Sequence, residues 1–158
     1  MTPLELYDDL ITEVENILRG VATKNTAGES VEGVKGYKYR LPLVTADDED
    51  ESQFFPYFIV RLSGGKTADD DSPWIVTADI LLGVCENDKE VPGHEHIMVM
   101  IQRITDRFAA EPLLNHKFRA EQDMEWAVQD EDTYPFYFGG VEIKFNVPKI
   151  GRRIPDYD

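Results

Sequence analysis

His94-Glu95-His96 is the one local cluster of metal-ligand residue types in the chain. Its i, i+2 spacing sends the two imidazoles to different sides of a helix, whereas helical zinc ligands share a face, as an i, i+4 pair does. A solvated helix start is the reading this spacing favours. His116 precedes an expected strand, with no neighbouring Ser, Cys or Asp to build a triad. Asp69-Asp70-Asp71 lacks the alternating ligands, central glycine and closing glutamate of a calcium loop, and reads as a charged turn. Gly64-Gly65-Lys66-Thr67 looks like the end of a phosphate loop. Val60, however, stands where the first glycine is required, and the segment joins strands where a phosphate loop must open a helix. With 31 Asp and Glu in the chain, paired carboxylates are too abundant to argue from. No catalytic residue, metal site or cofactor is expected, and the chain reads as non-enzymatic.

The elements that would position these residues follow from periodicity. Thr2-Pro3-Leu4-Glu5 has the pattern of a capping box with proline at the first helical position. Leu6, Leu10, Val14, Ile17 and Leu18 then share a helical face, and Gly20 stands where a left-handed C-terminal residue is wanted. Residues 21–36 contain glycines and no apolar period. Tyr37, Tyr39, Leu41 and Leu43 alternate with Lys38, Arg40 and Pro42, as in a short edge strand. Residues 54–62 alternate as a strand, and a polar connection through 64–73 makes a hairpin with Trp74–Cys85, whose even positions are apolar throughout. Ile97, Ile101, Ile104 and Phe108 predict a helix over about 93–110. Phe118–Val128 alternates with one wet face, and residues 134–147 form the last strand, with a bulge or close approach at Gly139-Gly140. The expected fold is α+β: a mixed, mainly antiparallel sheet of four to five strands flanked by two helices, in the order αβββαββ.

One domain over residues 1–148 suits a chain of 158 residues, and the rest reads as a tail. No segment approaches the ~18 apolar residues of a membrane span, and the start lacks a signal peptide's basic and apolar regions, so a soluble, unexported protein is expected. Cys85, the single cysteine, lies in an apolar run where a buried, inert thiol is expected, consistent with a reducing compartment. Subtracting 31 Asp and Glu from 16 Lys and Arg leaves −15. Duplex DNA is held by Lys and Arg neutralising phosphates, so specific nucleic-acid binding is not expected. Asp47-Asp48-Glu49-Asp50-Glu51 is a like-charge run that should be a solvated loop. Among residues 149–158, Arg152, Arg153, Ile154 and Tyr157 are of the kind that anchor a subunit interface, and Arg152 and Arg153 are expected to meet acidic patches on a neighbouring copy.

The order of elements resembles the tail-terminator and tail-completion proteins of long-tailed bacteriophages. The resemblance rests on the N-terminal capped helix, the Phe54-Phe55-Pro56-Tyr57 strand opening, the loop into the Ile97 to Phe108 helix, and the closing run from Tyr134-Pro135-Phe136 through Gly139-Gly140 to Phe145. It implies a virion protein of the tail or neck, assembled in the host bacterial cytoplasm. Such a subunit forms a ring, typically of six copies, that caps the tail tube, stops its growth and meets the head-tail connector, while DNA passes the lumen. Related neck and tail-tube proteins share parts of this layout. A monomeric acidic inhibitor that mimics DNA is the alternative; it requires carboxylates arrayed on one surface. A small hydrolase would require a pocket of strongly perturbed titratable groups.

Overall fold

A computed structural model describes residues 3–44 and 51–150. α1 (Pro3–Ile17) buries Leu6, Leu10 and Val14, side chains stacked on successive turns. On its polar side Glu5 and Asp9 meet Lys117 at 3.2 and 3.6 Å. The Val21 N–H closes the following turn onto the Leu18 carbonyl. That turn ends the helix without a left-handed residue, so positive φ falls at Gly28 and Gly33 and not at Gly20.

Residues 21–36, for which no regular element was expected, contain β1 (Ala22–Lys24) and β2 (Ser30–Glu32). Asn25 Oδ1 accepts the Ala27 and Glu29 N–H groups in the turn between them. β3 (Lys35–Lys38) is shorter than the Tyr37 to Leu43 alternation predicts, because Tyr39 takes φ 72° and leaves the extended region. A 3-10 turn over Glu51–Phe54 precedes β4 (Tyr57–Lys66) and β5 (Trp74–Cys85). α2 (His94–Ala110), β6 (Leu113–Leu114), β7 (Phe118–Val128) and β8 (Phe136–Val147) complete the described chain.

The α+β class and the two helices are as expected, but the sheet has eight strands, not four to five. The order is αβββββαβββ, not αβββαββ. β1, β2 and β6 account for the difference; at two or three residues each they are too short to display a period. β5 is central, with β4 and β8 antiparallel on its two sides. β7 lies beyond β8, and β6 pairs with the start of β7. β3 runs parallel to β4 at the other end, and β1 joins the end of β5 at Lys24 opposite Cys85.

Both helices cover one face. Leu6, Leu10, Phe58, Val60, the even residues of β5 from Val76 to Val84, Ile97, Ile104, Phe108, Ile143 and Phe145 form that core. Each fully buried aliphatic or aromatic side chain of this kind is worth roughly 1.5–3 kcal/mol of transfer free energy. Gly139-Gly140 is a point of close approach and not a bulge: β8 keeps its register with β5 through both glycines. A Cβ on Gly139 would stand 2.5 Å from Ile97 Cγ2, so its absence lets α2 settle on the sheet. The ladders shift instead in β7 between Ala120 and Met124 and in β4 between Leu62 and Gly64.

Candidate functional site

The face of the sheet away from the helices divides in two. At one end Leu41, Phe55, Tyr57, Ile59 and Cys85 form a second cluster, backed by Leu81, Phe136 and Phe138. Phe55 stacks on Phe136 at 4.8 Å between ring centroids. Burial raises the Cys85 thiol pKa above its ordinary value, which keeps it protonated.

Beyond that cluster the face is polar. Arg61 pairs with Asp79 across β4 and β5, Asp79 with Glu142 across β5 and β8, and Glu142 with Glu125 across β8 and β7. Directly opposite residues have Cβ atoms about 4.5–5.5 Å apart, so three carboxylates stand in one row with one guanidinium at its end. Lys144, in the neighbouring row, reaches Asp123 at 3.5 Å. Gly140 contributes no side chain beside this row, and a groove of about 410 Å³ runs there between Leu81 and Ala127.

The row ends at a strand that, among the described residues, has one largely open side. Among the described residues β7 pairs with β8 at Arg119, Ala120 and from Met124 to Val128, while on its other side β6 meets Phe118 and Arg119 and the Pro112 carbonyl accepts the Ala120 N–H at 2.8 Å. The Gln129 N–H donates to the Phe138 carbonyl at 3.0 Å. Alternation along an antiparallel ladder then turns the backbone groups of Ala127 and Glu125 toward β8 and those of Met124, Trp126 and Val128 outward. Trp126 is 54% exposed and, with Met98, Val99 and Ile101 of α2, lines a groove of about 400 Å³ beside this edge.

The two ends of the sheet differ in charge. β7 carries Glu121, Asp123 and Glu125 against the single Arg119 near its start, and leads into Asp130, Glu131 and Asp132. The other end carries Lys35 and Lys38 on β3, with Lys38 paired to Asp8 of α1 at 2.9 Å, and Arg61 and Lys66 on β4. That end is also capped: the Gly36 N–H donates to Glu15 at 3.3 Å and the Leu62 N–H to the Tyr7 hydroxyl at 3.1 Å.

One buried charge lies apart from these surfaces. Glu86, at the end of β5, is 2% exposed. It accepts from Lys24 Nζ at 2.9 Å and from the Asp88 N–H at 3.2 Å, and lies 3.0 Å from His96 Nε2. Burial pushes its carboxyl pKa up, but the hydrogen bonds from Lys24, His96 and Asp88 outweigh it and hold the group below the ordinary carboxylate range. The same bond to Glu86 raises the Lys24 pKa. This clasp ties β1, β5 and the first turn of α2 together.

His96 is thus drawn into a clasp, while His94 and Glu95 are exposed, as a solvated helix start requires. The unbroken apolar run up to Cys85 was the signal that could have found Glu86: a carboxylate closing such a strand needs partners. His116 sits in an exposed turn at φ 58°. Asp69 Oδ1 accepts the Asp71 and Ser72 N–H groups, so the aspartate run is a turn. Gly64, Gly65 and Lys66 end β4, and Thr67 bonds the Ser72 carbonyl within the hairpin connection. Among the described residues no three His, Cys, Asp or Glu side chains converge as metal ligands. Asp47, Asp48, Glu49 and Asp50 lie outside the described residues, as do Arg152, Arg153, Ile154 and Tyr157; Glu51 opens the 3-10 turn. No helix among the described residues is long and apolar enough to cross a membrane. No model of a known protein family matches the chain, and a comparison with curated proteins finds no significant match.

Proposed function

We propose that the chain is a structural subunit that assembles head to tail into a ring, and that the ring is a tail terminator of a long-tailed bacteriophage. In this reading it has no catalytic role; it caps the tail tube and joins it to the head-tail connector. The observation that carries the reading is the unlike charge of the sheet's two ends, an acidic open edge at β7 and a basic, capped end at β3 and β4. Unlike surfaces on one subunit make a heterologous contact, and a heterologous contact whose rotation closes gives a ring. Six copies are what the family resemblance implies. The Asp79, Glu142 and Glu125 row suits a surface that DNA passes without adhering, since it presents carboxylates where phosphate binding needs cations.

The same row is the observation that favours the second reading, a DNA mimic. Arg61 closes the row and Lys144 interrupts its neighbour, which weakens the likeness to a phosphate backbone. The two readings separate when purified protein is added to polymerising tail-tube protein and, separately, to a DNA-binding enzyme. A terminator stops tube growth at substoichiometric amounts and leaves the enzyme untouched. A mimic inhibits the enzyme and leaves tube length unchanged.

A further inference from the structure

We infer that the open edge of β7 is a strand-addition site, and that its occupant is the C-terminal segment, residues 151–158, of a neighbouring copy. This rests on the head-to-tail assembly proposed above and supplies its contact. Met124, Trp126 and Val128 turn their N–H and C=O groups away from β8, where no strand among the described residues pairs with them, and edge groups of this kind are a template for another strand. Charge selects the occupant. The segment Gly151-Arg152-Arg153-Ile154 is cationic and apolar, and the edge it would pair with carries Asp123 and Glu125. Side chains alternate along an added strand, so Arg153 shares the face of Glu125 when Ile154 lies on the face of Trp126, over the groove against α2. Pro155 has no N–H to offer a ladder, which limits the added strand to a few residues.

The chain's own geometry favours a neighbour's segment over its own. Lys149 Nζ donates to Thr67 Oγ1 at 2.6 Å and to the Asp69 carbonyl, which draws the chain leaving β8 toward the hairpin connection between β4 and β5. That is the side of β8 opposite β7. To reach its own β7 edge the segment must cross back over β8, whereas a head-to-tail neighbour presents that edge directly.

The test compares the full chain with a truncation ending at Ile150 and with the Arg152→Glu/Arg153→Glu variant, by light scattering over a concentration series and by amide hydrogen exchange. The full chain assembles, and its Met124, Trp126 and Val128 amides slow on assembly. The truncation and the charge-reversed variant assemble at least about tenfold more weakly and leave those amides fast. Glu125→Arg weakens assembly alone and recovers it when combined with Arg153→Glu, a rescue that loss of folding would not give. Equal assembly by the full and truncated chains overturns this inference and leaves the ring standing. A full chain that is monomeric throughout overturns both.

Discussion

Asp79 stands directly across from Glu142 in the β5 and β8 ladder, and Glu142 directly across from Glu125 in the ladder with β7. Like charges in directly opposed positions work against the sheet that holds them. Glu142→Gln is therefore expected to raise stability by about 0.2–1 kcal/mol in dilute buffer. The gain should shrink in 1 M salt, where the screening length falls to about 3 Å. Urea unfolding at the two salt concentrations measures it, and an equal loss of stability at both would count against like-charge strain in the row.

Glu86 sets the acid limit of the clasp. Its folded pKa lies below the ordinary carboxylate value of 4.5, so its stabilising contribution is present above that value and is lost as pH falls through the folded pKa. Glu86→Gln should cost about 1.5–3 kcal/mol at neutral pH, the range for hydrogen bonds to a charged group, and the gap from wild type should close on acidification. A gap that stays constant from pH 7 down to pH 3 would show that the carboxylate charge is not what the clasp uses.

Gly139 and Gly64 make a matched pair. A Cβ at Gly139 meets Ile97 Cγ2 at 2.5 Å and the Ala127 carbonyl at 3.0 Å, while a Cβ at Gly64 meets nothing within 4 Å. Gly139→Ala should destabilise by about 1–3 kcal/mol through overpacking, and Gly64→Ala should be neutral or slightly stabilising because it restricts the unfolded chain. Thermal unfolding of the two variants distinguishes them; equal melting temperatures would contradict the close approach of α2.

Thr23 carries a buried hydroxyl with no hydrogen-bond partner among the described residues, on a strand packed at the end of β5. An unsatisfied buried donor costs about 1–3 kcal/mol, so Thr23→Val, of similar shape, should stabilise the fold by about 1 kcal/mol. A loss on substitution would mean that the hydroxyl is satisfied in solution.

The long elements were legible in the sequence because their periods are long. β5 and β7 fall on the residues where alternation placed them, and α2 begins within a residue or so of the expected start. What the sequence hid depends on contacts distant in the chain. β1 and β2 are held by a turn built on Asn25 and by Lys24 reaching Glu86, 62 residues away. The carboxylate row joins residues 79, 125 and 142, which no local pattern can align. The open edge of β7 arises because β8, the last of the described strands, inserts between β5 and β7 and leaves β7 outside.

Self-assembly through unlike ends shows in the mass of the purified full chain, measured by light scattering from low to high micromolar concentration with electron microscopy of the largest species. A discrete closed ring of about six copies is expected, and its stability should fall as salt screens the opposed charges. A monomer at every concentration, with tail tubes present as well as absent, would contradict it.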